Sequence, residues 1–156
     1  MGAAIKGEVK MGEYFKDKEQ MYECFGALFE KMRFDERTGG RIAKSALTVR
    51  FIWTDPDGCV FINFKDKPEE EGAFGTMRFD DMDTPADVTT TQTADFSHRF
   101  WQGLENPIMA LPKGKIKAEG AIGKLMGLVG TVRPAFRLYP KVLQELGYPE
   151  LVLKKR

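Results

Sequence analysis

The sequence predicts an α+β fold, because segments of helical periodicity enclose five segments in which apolar and polar residues alternate. The 156 residues fit one domain and are enough to bury a core of their own. Hydrophobic residues make up 42% of the chain, so apolar burial can offset the entropy lost on folding. We therefore expect a single folded domain over residues 1–156.

A long amphipathic helix is expected at about residues 11–34. Apolar side chains recur there every three or four positions, and a turn-forming stretch, Asp35–Gly40, follows. Methionine and phenylalanine dominate the apolar positions. Because these residues at helical spacing usually pack in a core, we expect this helix to support the domain rather than line a ligand site.

Five strands are predicted from period-two alternation and from the turn residues between them. The turn at 55–58, DPDG, joins the first two strands as an antiparallel hairpin. The fourth strand is rich in threonine, whose branched Cβ favours an extended backbone. The predicted strands are 47–54, Cys59–Phe64, Gly72–Phe79, Asp87–Thr93 and Lys115–Glu119.

Two short helices are expected between the fourth and fifth strands. Thr93 suits the N-cap of the first, which would carry Phe100 and Trp101 on one face. Asn106 and Pro107 suit the N-cap and first position of the second.

The stretch AIGKLMGLVGTV, residues 121–132, is the most unusual in the chain. As a helix it would be apolar nearly all round, and such a helix must be buried, embedded in a partner or wrapped around a ligand. Gly123, Gly127 and Gly130 would each weaken it by about 1 kcal/mol relative to alanine. We therefore expect it to lie close to the sheet or to a ligand. A last amphipathic helix is predicted at about 134–147.

The threonine strand, the DFSHRFWQG helix, the NPIMAL turn and the GKIKAEG strand that leads into the apolar segment together resemble the sterol carrier protein 2 family. The resemblance covers about residues 45–132, with the helices at 11–34 and 134–147 outside this core. It implies a five-stranded, mostly antiparallel sheet covered by helices. It also implies a non-catalytic carrier that holds a fatty acid, acyl-CoA, sterol-like or isoprenoid ligand in a tunnel between sheet and helices.

The resemblance also suggests which residues would meet such a ligand. The lysines beside the fifth strand, Lys113, Lys115 and Lys117, are candidates for head-group contacts. The tunnel wall is expected to consist of apolar side chains from the short helices and the 121–132 segment. These are Phe100, Trp101, Leu104, Ile108, Met109, Leu125, Met126 and Val129.

Charge is distributed unevenly along the chain. Residues 1–111 carry a net charge of −6 and residues 112–156 a net charge of +7. The basic part predicts a transient contact with an anionic membrane surface. A solvated helix face with a basic tail is the alternative. A nucleic-acid partner is not expected, because the basic residues follow no recognisable binding motif.

Catalytic, metal and cofactor sites are not expected. His98 is the only histidine, and no second titratable group is placed by the sequence to orient it. The acidic residues Asp80, Asp81 and Asp83 do not have the spacing of a calcium-binding loop. Two cysteines, Cys24 and Cys59, are too few for a disulfide scaffold, so free buried thiols and a cytoplasmic location are expected.

Two other functions stay open beside the carrier. One is a scaffold that presents isoprenoid or quinone intermediates to biosynthetic enzymes, and the other is a purely structural domain with a filled core. A cavity larger than a few water molecules would favour the carrier and the scaffold over the structural domain.

Overall fold

A computed structural model of the chain describes residues 11–154. Positions 1–10 and 155–156 of the expected domain, and with them the last two residues of the basic tail, lie outside the described residues.

The five strands form one sheet in the order β3-β2-β1-β4-β5. Three neighbouring pairs are antiparallel, and β1 and β4 are parallel. The predicted α+β class with a five-stranded, mostly antiparallel sheet is therefore confirmed. The strands are β1 (Thr48–Thr54), β2 (Gly58–Asn63), β3 (Thr76–Phe79), β4 (Val88–Thr93) and β5 (Lys117–Gly120).

Six α-helices lie within residues 11–154, and most of them are short. A π-helical turn at Glu36–Gly40 follows the first, and a 3-10 turn at Pro149–Leu151 follows the last. The helices are α1 (Lys18–Phe34), α2 (Arg41–Ala43), α3 (Ala94–Phe100), α4 (Pro107–Ala110), α5 (Ile122–Met126) and α6 (Ala135–Glu145).

Helix α1 begins later than the apolar pattern predicts, because Asp17 caps its N-terminus. The Asp17 carboxylate accepts a hydrogen bond from the Gln20 backbone N–H at 2.8 Å. The Gln20 side chain in turn accepts from the N–H of Lys16, the residue before the N-cap, at 2.8 Å, which fixes the chain where it enters the helix. The preceding segment is instead tied to α3, since the Asp95 carboxylate accepts from the Glu13 N–H at 2.7 Å.

The main core lies between one face of the sheet and helices α1 and α6. Trp53 on β1 stacks on Phe25 of α1 with ring centroids 4.9 Å apart, and Tyr139 of α6 lies 6.0 Å from the same phenylalanine ring. All three side chains are buried. Burying one such aromatic side chain stabilises the fold by about 1.5–3 kcal/mol. Helix α1 therefore packs in the core, as its methionine and phenylalanine pattern indicates.

Candidate functional site

An apolar cavity lies beside this core, between the sheet and the segments that follow β4. Its volume, counted as the space open to the centres of water-sized spheres, is about 130 Å³. One water molecule needs about 10–15 Å³ on the same measure, so the cavity is far larger than an ordinary packing defect.

The sheet supplies one wall through side chains that alternate along neighbouring strands. Val49 on β1 pairs with Ile62 on β2 and with Val88 on β4, and Phe51 pairs with Thr90. This register brings every second residue of each strand to the same face. Val49, Phe51, Ile62, Thr90 and Gln92 follow this alternation, Phe64 continues it directly after β2, and the edge strand β3 contributes the adjacent residues Thr76 and Met77.

The opposite wall includes the glycine segment, which we define as residues 121–132. It is not the continuous buried helix that its apolar composition predicts. Helix α5 ends at Met126, turns follow, and none of the α5 residues is fully buried. A Cβ atom placed on Gly123 or Gly130 would meet nothing within 4 Å, so these glycines face open space. The segment therefore covers the cavity with half-exposed apolar side chains.

Five of the eight predicted wall residues line the cavity: Phe100, Trp101, Leu125, Met126 and Val129.

The other three, Leu104, Ile108 and Met109, are not among its lining residues. Helix α4 has only four residues and turns Pro107 and Ala110 inward, which leaves Ile108 55% and Met109 58% exposed.

The head-group candidates Lys113, Lys115 and Lys117 are all exposed, in the loop before β5 and at its first residue. No acidic side chain of the described residues forms a salt bridge with them. Their ammonium groups are therefore available to an external anion.

Four uncharged polar residues of the cavity wall were not predicted, and one of them, Thr76, lies at an exposed position of β3. Thr90 and Gln92 lie on β4, and Ser97 lies on α3. The alternation along β4 is the signal that could have found two of them, because positions 88, 90 and 92 share the buried face. The threonine content by itself indicates only strand propensity.

Helix α1 also reaches the cavity through Phe29, Met32 and Arg33, so the expectation that it would not line a ligand site is wrong for its last turns. Among the described lining residues, Arg33 is the one that carries a charge. Its guanidinium donates to the Glu70 carboxylate at 2.9 Å and to the Glu30 carboxylate at 2.7 Å. The hydrogen bonds that Arg33 donates to Glu70 and, to a lesser extent, to Glu30 raise the arginine pKa further above its ordinary value. Its charge is thus already compensated by two carboxylates of the protein.

The other residues that could bear chemistry lie away from the cavity. His98 is buried beside Tyr139 and Leu151, and desolvation lowers its pKa to about 4. Asp81 is engaged by its own loop, since it accepts hydrogen bonds from Arg78 and Thr84.

Within residues 11–154, no cluster of histidine, cysteine or acidic residues could hold a metal ion. Nor does that stretch contain a helix long and apolar enough to cross a membrane.

Neither protein-family models nor curated proteins gave a match to the chain. Several solved structures do match the chain. The sterol carrier protein domain 2 of Helicoverpa armigera is 20% identical with a TM-score of 0.54, over 81% of this chain and 96% of that one. Sterol carrier protein 2 of Yarrowia lipolytica is 15% identical with a TM-score of 0.52, over 80% of this chain and 94% of that one.

A stereoselective inverting sec-alkylsulfatase of Pseudomonas sp. also matches, with 19% identity and a TM-score of 0.50 over 64% of this chain. The match spans only 14% of the sulfatase chain, so it concerns a small part of that enzyme. At these identities the likeness concerns the fold. The chain has the fold of sterol carrier protein 2 domains, as its motifs predict.

Proposed function

We propose that the chain is a non-catalytic lipid carrier that holds an apolar ligand in the cavity between its sheet and the glycine segment. The apolar cavity is the observation that carries the proposal, because a structural domain of this size would fill such a space with side chains. Solved structures of the same fold that are named sterol carrier proteins support it. The ligand classes we propose are fatty acids, acyl-CoA, sterol-like lipids and isoprenoids.

Hydrophobic transfer would drive binding. Burying a chain of sixteen carbons at about 0.8 kcal/mol per methylene gives roughly 12 kcal/mol before the costs of association. Met77 and Met126 on the wall can adjust to different chain shapes, because methionine has several rotatable bonds. Among the lining side chains of residues 11–154, Arg33 is the only ionisable one and its carboxylate partners occupy it, so this part of the wall offers no general acid or base.

We also propose that Lys113, Lys115 and Lys117 contact lipid head groups or an anionic membrane surface. Their exposure and their lack of acidic partners among residues 11–154 support this role. A cytoplasmic location agrees with free thiols at Cys24 and Cys59.

A cavity-filling substitution tests the carrier function. Leu125→Trp places a bulkier side chain against the cavity and should weaken binding of cis-parinaric acid, a fluorescent fatty acid, at least tenfold. Met82→Trp is the matched control, because Met82 is 54% exposed and lies outside the cavity wall. Fluorescence titration gives both affinities, and circular dichroism checks that both variants fold.

The carrier proposal fails if the wild-type protein does not bind the probe, or if Leu125→Trp binds it as tightly as wild type does. Extraction of lipid from the purified protein complements the titration. An isoprenoid quinone in the extract would favour the scaffold role over general lipid transfer.

A further inference from the structure

We infer that the cavity binds a lipid with an uncharged oxygen, such as a hydroxyl, ketone or ester group, and that Thr90, Gln92 and Ser97 hold this oxygen against the sheet. The inference rests on the proposed carrier function and names the class of ligand. We call these three residues the polar patch.

Thr90 gives the first reason. Its side chain is 3% exposed, and its hydroxyl is the one fully buried side-chain oxygen or nitrogen in the described part of the chain that lacks a hydrogen-bond partner. Buried polar groups are nearly always paired, because desolvation without a new bond is unfavourable. A valine would have the same shape without this cost. The hydroxyl is thus in place for a partner that arrives with the ligand.

Gln92 and Ser97 extend the patch. Gln92 is 7% exposed and shares the cavity face of β4 with Thr90. Ser97 accepts a hydrogen bond from the Trp53 indole N–H at 3.0 Å, which leaves the serine hydroxyl hydrogen free to donate. The patch therefore offers both donors and an acceptor within an otherwise apolar wall.

The chemistry of the patch selects an uncharged oxygen over a carboxylate. A hydroxyl can donate to the Gln92 carbonyl oxygen and accept from Thr90 or Ser97, and a ketone or ester oxygen can accept from the same two hydroxyls. A carboxylate could accept there too, but its negative charge would be buried at the sheet without a counter-charge. Arg33 does not supply one, because its guanidinium already donates to Glu30 and Glu70. A fatty-acid carboxylate should therefore stay away from the patch.

Three ligands of equal chain length distinguish these cases: dodecan-1-ol, dodecane and dodecanoate, each measured by displacement of cis-parinaric acid. Thr90→Val and Gln92→Leu remove the polar groups and keep the approximate shape. Thr91→Val is the matched control, because it makes the same change one residue along β4, where the side chain is not part of the cavity wall.

We expect Thr90→Val and Gln92→Leu each to weaken dodecan-1-ol binding about tenfold relative to dodecane. Dodecanoate binding should change less than twofold, and Thr91→Val should change none of the three affinities. Thr90→Val should also leave the ligand-free protein at least as resistant to urea as wild type, because no hydrogen bond is lost there. A loss of alcohol binding without a loss of stability distinguishes ligand recognition from a structural role.

The inference is overturned if all three ligands bind and the ratio of alcohol to alkane affinity is the same in wild type, Thr90→Val and Gln92→Leu. It is also overturned if dodecanoate loses most affinity, since the patch would then serve an acidic head group. In both cases the carrier function would stand. Failure of wild type to bind the probe or any of the three ligands would instead overturn the carrier function itself.

Discussion

The imidazole of His98 shows how surroundings determine the protonation of a single residue. Its Nε2 lies 2.8 Å from the Leu151 carbonyl oxygen, which can only accept, so Nε2 carries the hydrogen. Nδ1 then accepts from the Tyr139 hydroxyl at 2.7 Å. The rings of Tyr14 and Phe15 pack against the imidazole at centroid distances of 4.8 and 5.0 Å. The neutral form of His98 thus joins the N-terminal segment, α6 and the C-terminal turn.

The buried imidazole predicts a pH dependence of stability. Burial lowers the pKa of His98 from 6.5 to about 4, so the unfolded chain binds the proton more tightly than the folded chain. Stability should therefore be fully present above pH 6.5 and fall as the pH drops towards 4. The loss should reach about 3 kcal/mol at most.

Urea unfolding of wild type and His98→Gln between pH 4 and pH 7 measures this effect. The variant should be less stable at pH 7, because it loses the fitted hydrogen bonds, but its stability should depend less on pH. Parallel curves for the two proteins over this range would contradict the assignment.

At the scale of elements, the glycine segment covers the cavity although only five of its residues are helical. Gly123 lies inside α5, where glycine is about 1 kcal/mol less favourable than alanine. No atom lies within 4 Å of a Cβ placed there, so alanine would meet no steric obstacle. Low helix propensity would suit a segment that opens for a ligand, as the proposed carrier function requires.

Gly123→Ala should raise the free energy of unfolding by up to about 1 kcal/mol and slow the release of bound cis-parinaric acid. Gly114→Ala is the contrasting variant. A Cβ at Gly114 also has free space, but its φ of +76° is unfavourable for alanine, so stability should fall. Thermal melts and stopped-flow release measure the two effects. Equal release rates for Gly123→Ala and wild type would argue against a gating role for the segment.

Most elements could be predicted from the sequence because their signals are local. Alternation and turn residues marked all five strands, and Asn106 correctly marked the N-terminus of α4. The start of α1 was missed because the apolar pattern continues through Phe15, whose side chain packs against His98 rather than within the helix. The parallel pairing of β1 with β4 was also not predicted, since alternation does not reveal which strands become neighbours.

The candidate site was predictable only in part, for a similar reason. Phe100 and Trp101 lie on a helix face whose direction follows from periodicity. Ile108 and Met109 lie on a single helical turn, for which composition alone does not determine which side faces inward. The unpaired hydroxyl of Thr90 depends on the absence of a tertiary partner, and a sequence pattern does not show this.

At the scale of the whole molecule, the charge asymmetry predicts how the carrier would approach a membrane. Residues 112–156 carry a net charge of +7, while the rest of the chain is acidic. Exposed charges act over about 10 Å at 0.1 M salt, so attraction to anionic vesicles should weaken as salt is added.

Co-sedimentation with phosphatidylserine-containing vesicles tests the role of the lysines. The combined variant Lys113→Glu, Lys115→Glu and Lys117→Glu should bind less than wild type at low salt. The control carries Lys16→Glu, Lys44→Glu and Lys67→Glu, which change the net charge equally at exposed positions elsewhere. Equal binding by the two triple variants at every salt concentration would show that net charge, and not these three lysines, matters.

The two buried cysteines allow local opening of the protein to be measured through the reaction of their thiols. Burial raises the pKa of the Cys24 thiol to about 12 and also raises that of Cys59, so neither forms the reactive thiolate in the closed structure. Cys24 lies on α1 and Cys59 on β2. A thiol reagent should therefore modify each one only when its own element exposes it. The two modification rates give separate measures of how often the helical layer and the sheet open, and no residue has to be substituted for the experiment.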